Sequence, residues 1–215
     1  MKLCIISDTH DQHEFISLPE ADCIIHCGDM SLRGTYNELK NFMDWFSNLS
    51  QYKYKICIAG NHDWLFERDP NLAKTLIPKN VIYLEDSKIE IDGVMFYGTP
   101  AQKIFCNWAF NKNEYELIKH WSLISDDTDV LITHQPPYGV RDCVIEGSNE
   151  GSKSLWHEVI NRIKPKIHCF GHIHESYGML KQSDITFVNA SVLDAEYYCV
   201  NEPILIEIQK QETYI

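Results

Sequence analysis

Ile56-Cys57-Ile58-Ala59-Gly60-Asn61-His62-Asp63 is an apolar run that ends abruptly in a polar turn. The run Ile56 to Ala59 fits a strand buried on both faces. The turn presents a neutral oxygen on Asn61, a titratable nitrogen on His62 and a carboxylate on Asp63. A solvated turn could hold the same residues, so the tetrapeptide alone leaves both readings open. Upstream, Cys23-Ile24-Ile25 ends in His26-Cys27-Gly28-Asp29, where Gly28 would let the backbone come close to whatever Asp29 binds. Between the two runs, Thr35 to Glu38 has capping-box spacing, and Leu39, Phe42, Met43, Phe46 and Leu49 follow at helical intervals. Strand, helix, strand is a βαβ unit, and its last strand delivers the quoted turn.

The same pattern recurs outward along the chain. Leu3 to Ile6 stops at Ser7-Asp8-Thr9-His10, Val130 to Ile132 at Thr133-His134-Gln135, and Ile167 to Phe170 at Gly171-His172-Ile173-His174. Strands are expected at Val81 to Leu84, Ile89 to Ile91 and Val94 to Tyr97, with Asp92-Gly93 turning the last two into a hairpin. Closing strands are expected at Thr186 to Val188 and Ile204 to Ile208. Asn113 to Glu116 can cap a helix pinned to the core by Leu117, Ile118 and Trp121. A second helix, Ser152 to Ile163, carries Leu155, Trp156, Val159, Ile160 and Ile163 on one face and stops at Lys164-Pro165. The stretch from Gly98 to Asn111, with Lys103, Phe105, Trp108 and Phe110, either roofs a pocket or forms a satellite core under a long loop.

Five apolar runs therefore lead into metal-competent residues: Asp8, Asp29, Asn61, His134 and His172. Open α/β sheets bind ligands beyond the carboxyl ends of their strands, so one shared site explains the pattern better than five accidents. With His10 and His174 there are seven candidate ligands, too many for one tetrahedral ion and suited to two ions sharing a carboxylate. All donate nitrogen or oxygen, which disfavours a thiolate zinc site and allows manganese, iron or zinc.

A chain of 215 residues, 44% hydrophobic and 12% aromatic, suits one or at most two compact domains, and a single domain over residues 1–215 is expected. The net charge of -12 makes long nucleic acid a poor partner, because phosphate tracking needs clustered Lys and Arg. Eight cysteines, without a C-x-x-C pair, read as buried thiols of a reducing compartment. Asp8 arrives too early for a signal-peptide core, and no apolar run nears the ~18 residues of a membrane span. A soluble, cytoplasmic protein without membrane contact is expected; oligomeric state is not legible.

The order Asp8-x-His10, Gly28-Asp29, Gly60-Asn61-His62-Asp63, His134 and Gly171-His172-x-His174 resembles the calcineurin-like metallophosphoesterase superfamily. Ile58-Ala59-Gly60-Asn61-His62, Asn107-Trp108-Ala109-Phe110-Asn111, His172-Ile173-His174-Glu175 and Asn189-Ala190-Ser191 look like the metallophosphoesterase-domain proteins grouped with class III cyclic nucleotide phosphodiesterases. The resemblance implies an α/β fold, a four-layer αββα sandwich of two mixed sheets flanked by helices. It implies that Asp8, His10, Asp29 and His174 bind one metal and Asp29, Asn61, His134 and His172 the other, with Asp29 as the bridge. Two such cations roughly 3.5 to 4 Å apart would hold a bridging hydroxide for in-line attack on phosphorus. His62, beside Asn61, is then expected as general acid, with Asp63 keeping it protonated and oriented. His13, His26, His120, His157 and His168 are expected to be structural, His26 being nearest the site.

The superfamily's protein Ser/Thr phosphatases clamp a monoester dianion with arginines before and after the Gly-Asn-His block. Here Ala59 precedes it and Trp64-Leu65 follow; Arg68 and Arg141 could reach the site, but neither matches that pattern. Small phosphodiesters such as 2′,3′- or 3′,5′-cyclic nucleotides are the expected substrates, with Phe105, Trp108 or Tyr138 available for base stacking. A nuclease or end-processing enzyme on short nucleic acids, a phosphomonoesterase, and a non-catalytic metal-binding scaffold are the alternatives.

Overall fold

Leu3 and Ile5 point to one side of the first strand, Cys4 and Ile6 to the other, and all four are fully buried. Side chains alternate along a strand, so a sheet built this way must be covered on both faces. The computed structural model, which describes residues 1–209, supplies both covers.

The first half of the chain forms β1 (Lys2–Ile6), β2 (Cys23–His26), α1 (Tyr36–Ser47), β3 (Tyr54–Cys57), α2 (Trp64–Arg68), α3 (Pro70–Thr75) and β4 (Ile82–Tyr83). The middle adds β5 (Ser87–Ile91), β6 (Val94–Thr99), β7 (Gln102–Lys103), β8 (Asn111–Lys112), α4 (Glu114–Trp121) and β9 (Val130–Thr133). The remainder comprises α5 (Lys153–Glu158), β10 (Ile167–Phe170), β11 (Gly178–Gln182), β12 (Ile185–Asn189) and β13 (Ile204–Glu207). One sheet has the order β13-β1-β2-β3-β4 and the other β11-β12-β10-β9-β6-β5. Both are mixed, since β13, β11 and β5 pair antiparallel at edges of otherwise parallel sheets.

The core divides into the three interfaces of a four-layer αββα sandwich. Leu3, Ile5, Ile25 and Ile56 of the first sheet meet Phe96, Val130, Ile132 and Cys169 of the second. Cys4, Ile6, Ile24 and Cys57 face outward onto Leu39, Phe42, Met43 and Phe46 of α1. Leu131, Phe170 and Phe187 face the other way, onto Leu117 and Trp121 of α4 and Leu155 of α5.

Local signals account for most boundaries. Thr35 and Glu38 close the expected capping box on α1, and Asn113 and Glu116 close another on α4. Asp92 and Gly93 both have positive φ (51° and 76°), the backbone that a two-residue hairpin turn demands. Ser152 caps α5, which runs on as a π-helical turn over Val159–Ile163 and ends at left-handed Lys164.

Several expectations need correcting. The third strand ends at Cys57; Ile58 and Ala59 lie beyond it and remain buried, with Ile58 N still donating to the His26 carbonyl (3.1 Å). Ile118 does not pin α4, being 52% exposed, whereas Leu117 and Trp121 are fully buried. Five cysteines, Cys4, Cys23, Cys27, Cys57 and Cys169, are buried as expected, but Cys106 and Cys143 are exposed and Cys199 is half-buried. The strand β11, the short helices α2 and α3, and the β7–β8 ladder had no apolar period to announce them.

Candidate metal centre

β1, β2 and β3 run parallel to one another, as do β9 and β10, and the chain leaves each through a ligand-bearing loop. Asp8, Asp29, Asn61, His134 and His172 lie just beyond the five carboxyl ends, and His174 opens a short 3-10 turn, His174–Ser176. The turns are sharp enough to force unusual backbone. Asp8 (φ 55°), His10 (38°), Asp29 (56°) and His172 (69°) all occupy the left-handed region, at a cost on the order of 1–3 kcal/mol each. Strain of that kind persists where packing holds it, commonly at functional sites. Two glycines permit the crowding. A Cβ on Gly60 would sit 2.3 Å from Asp29 Oδ1, and one on Gly28 (φ 98°) would sit 2.6 Å from His134 Nδ1.

All seven expected ligands come together. Ligand atoms of Asp8, His10 and His174 lie within 4.8 Å of one another, as do those of Asp29, His134 and His172. Asn61 Oδ1 stands 2.9 Å from His134 Nε2, which is also 3.2 Å from Asp29 Oδ2. His10 Nε2 is 3.8 Å from Asp29 Oδ2, linking the two groups, and His174 Nε2 is 3.6 Å from Asp8 Oδ1.

The imidazoles share one design. Nδ1 of His10 lies 3.2 Å from the Ser31 carbonyl, that of His134 2.9 Å from Cys27 O, and that of His174 2.9 Å from Asp194 O. A carbonyl only accepts, so Nδ1 carries the hydrogen there and Nε2 is the ring atom turned toward the carboxylates. That arrangement is the one by which outer hydrogen bonds fix a metal-binding tautomer. His10 Nε2 is buried without a hydrogen-bond partner. Carboxylate oxygens, an amide oxygen and imidazole lone pairs aimed at common points fit cations with mixed nitrogen and oxygen ligands.

Electrostatics point the same way. Burial pushes the Asp29 carboxyl up, but His134, His62 and His10 outweigh it and hold the group well below its usual range. Asp8 is likewise lowered, His174 and His134 overcoming burial. His134 and His174 are raised to about 9 because Asp29 and Asp8 outweigh desolvation, whereas burial takes His10 down to about 4 and His172 to about 3. The carboxylates thus demand positive charge.

His62 lies at the rim of this cluster. Its backbone N–H donates to Asp29 Oδ1 (2.7 Å), and its Nδ1 meets Leu32 O at 2.7 Å. Asp63 does not orient it. The Asp63 carboxylate accepts instead from Met30 N (3.2 Å), Ser31 N (3.0 Å), Ser31 Oγ (2.6 Å) and Gly60 N (2.8 Å), tying the Asn61 turn to the loop after β2. Burial and the nearby Asp29 carboxylate push Asp63 up, and these donors oppose the rise by binding the charged form. The expected partnership fails because both Asp63 oxygens are taken up by these four donors, while His62 Nδ1 is held by the Leu32 carbonyl.

A cleft of about 230 Å³ opens beside His172 and His174, lined also by Phe105, Lys103, Glu150 and Tyr197. Phe105 stands edge-on to His172, with ring centroids 6.0 Å apart. Trp108 is stacked on His62 at 4.0 Å, so that indole face is not open to a base. Tyr138 is not a lining residue; Lys153 sits over its ring at 4.8 Å. Arg68 lies over Trp64, and Arg141 donates to the Met179 carbonyl, so neither arginine lines the cleft. Lys103 is the cation there, paired with Glu150 at 3.1 Å. Tyr197, unmarked by any sequence pattern, packs against His10 (4.9 Å) and His174 (5.1 Å) from the turn whose Asp194 carbonyl holds His174. His26 is structural: burial takes it down to about 3, its Nδ1 accepts from Gly28 N, and its Nε2 meets Thr9 Oγ1.

Two stacked mixed sheets with nitrogen and oxygen donors gathered beyond their parallel strands define an αββα sandwich protein with a candidate metal centre. The chain belongs to the calcineurin-like phosphoesterase family, whose profile matches residues 1–176. It is 38% identical over 228 residues to human metallophosphoesterase domain-containing protein 1, spanning 94% of this chain and 69% of that protein. A UPF0046 protein of Caenorhabditis elegans is 34% identical over 96% of this chain and 59% of its own length. A solved crystal structure, at 17% identity, superposes with a TM-score of 0.67 over 87% of this chain and 89% of its own, a likeness of fold. The protein is a metal-dependent phosphoesterase. Among the described residues, no helix is long and apolar enough to cross a membrane.

Proposed function

We propose that the protein hydrolyses small phosphodiesters, such as 2′,3′- or 3′,5′-cyclic nucleotides, at two metal ions with His62 as general acid. The carrying observation is the common pinning of His10, His134 and His174 through Nδ1, which leaves three Nε2 atoms facing Asp8 and Asp29. Asp8, His10, Asp29 and His174 would hold one ion, and Asp29, Asn61, His134 and His172 the other; manganese, iron and zinc all suit these donors. When bound, such ions supply Lewis-acid charge to the phosphate and activate a water as nucleophile.

The chain's own side chains do the rest. His62 uses Nδ1 on Leu32 O, which frees Nε2 to hand a proton to the leaving oxygen. The cleft would receive the ester substituent against Phe105. Lys103, already neutralised by Glu150, offers one compromised charge where a monoester dianion would demand a clamp, and this favours a monoanionic diester. We also propose that residues 1–215 form one domain, since β13 closes back onto β1; positions 210–215 lie outside the described residues. Eight free thiols support a reducing, cytoplasmic setting.

The test is hydrolysis by manganese-loaded protein of bis-p-nitrophenyl phosphate, p-nitrophenyl phosphate, and 2′,3′- and 3′,5′-cyclic AMP, with Asp29→Asn as the blank. Diesters should be preferred, Asp29→Asn should abolish turnover, and His62→Ala should slow the cyclic nucleotides more than the nitrophenyl diester. Monoester preference would overturn the substrate assignment, and inactivity with metal bound would overturn the enzyme's proposed reaction.

A further inference from the structure

We propose that Trp108 is a positioning residue for His62, holding the imidazole in place for proton delivery rather than serving as a platform for substrate. The proposal rests on the reading of His62 as general acid. The indole and imidazole centroids are 4.0 Å apart with planes 25° from parallel, and the same imidazole meets the edge of His10 at 4.6 Å and 78°. His62 has one ring hydrogen bond, from Nδ1 to Leu32 O. A ring tethered at one atom can still rock about that bond, and a flat face laid against it removes the motion.

The indole itself is fixed by the element it must match. Ala109 N donates to the carbonyl of Asn61 (3.2 Å), in the turn that carries His62, and Phe110 N donates to Glu67 Oε1 (2.7 Å) in α2. Gln102 and Asn111, at the β7–β8 ladder, bond to each other and close the base of the loop. On its outer side Trp108 leans toward Trp64 (6.4 Å), whose ring carries the Arg68 guanidinium at 4.0 Å. Trp108 and His62 thus belong to one braced unit, and the indole face that a base would need already holds the imidazole.

In the reaction served, water oxygen bonds to phosphorus and gives up a proton to solvent, and the bond from phosphorus to the leaving oxygen breaks with its electron pair on that oxygen. The leaving oxygen takes the proton from His62 Nε2, and His62 regains a proton from solvent. General acid catalysis is worth roughly 10²–10⁴-fold, and modest misplacement of a reacting group can cost on the order of 10²-fold. Trp108→Ala should therefore lower kcat for 2′,3′-cyclic AMP, a poor leaving group, by about 10- to 100-fold. Bis-p-nitrophenyl phosphate, whose leaving group needs no proton, should fall by less than about 3-fold, with KM nearly unchanged for both. Trp108→Phe, which keeps a flat face, should recover most of the loss, and bound metal measured by emission spectroscopy should match wild type. Combining Trp108→Ala with His62→Ala should add little for cyclic AMP beyond His62→Ala alone. Equal slowing of both substrates, or a KM rise confined to the base-bearing one, would overturn the positioning role. If His62→Ala itself shows no leaving-group dependence, the acid reading falls and this role with it; if His62→Ala shows it and Trp108→Ala does not, only the positioning role falls.

Discussion

Replacing Asp63 by Asn separates two roles for one carboxylate. The group is fully buried and accepts four hydrogen bonds, from Met30 N and Gly60 N on one oxygen and from Ser31 N and Oγ on the other. An amide has a single acceptor oxygen. If its NH₂ turns toward Ser31, the hydroxyl can reverse and accept, but Ser31 N–H is stranded; turned the other way, two backbone N–H groups are stranded. One unsatisfied buried donor costs about 1–3 kcal/mol, and the surviving bonds lose charge assistance worth about 0.5–1 kcal/mol each. Asp63→Asn should therefore destabilise the protein by about 2–5 kcal/mol, a large part of an ordinary stability of ~5–15 kcal/mol. Urea unfolding should show a lower midpoint at an unchanged slope. Activity per folded molecule should fall equally for good and poor leaving groups. A destabilisation below about 1 kcal/mol, together with selective slowing of poor leaving groups, would refute the reasoning and return Asp63 to the support of His62.

Phe96→Ala, at the interface between the sheets, should cost about 3–5 kcal/mol in the same unfolding assay, whereas Ile118→Ala on the exposed face of α4 should stay within about 0.5 kcal/mol. Similar values for the two would contradict the assignment of core and surface. Burial holds His168 neutral and takes it down to about 3, with Nε2 on Thr133 Oγ1 and Nδ1 unpartnered. Its unfolded counterpart protonates near pH 6.5, so stability is fully present above that pH and is lost at up to about 1.4 kcal/mol per unit as pH falls toward 3. His168→Gln, which can keep the donation to Thr133, should flatten unfolding free energy against pH between 6.5 and 4; parallel wild-type and variant curves would show that His168 does not carry the acid sensitivity.

The clustering of the candidate ligands was legible in the sequence because its pattern is covalent. Each ligand follows closely on an apolar run, so once Ile5, Ile25, Ile56, Ile132 and Cys169 enter one core, the residues beyond those strands are carried to one edge. The two helix starts were legible for a similar reason, since Thr35 with Glu38 and Asn113 with Glu116 make their bonds within one turn. Short elements were not legible: β11 is mostly exposed, and β7 and β8 are two residues each, so neither leaves an apolar period.

By itself the sequence determined which apolar runs lead into the candidate site residues and the nitrogen and oxygen chemistry of those residues, all properties of neighbours along the chain. Only the tertiary structure decided that His62 rests on the Leu32 carbonyl and under Trp108, that Asp63 turns away to Ser31, that Arg68 and Arg141 are engaged elsewhere, and that Tyr197 packs against the histidines. Those outcomes depend on which side chains from separate loops meet once the sheets have packed, and partners far apart along the chain leave no mark in its composition or spacing.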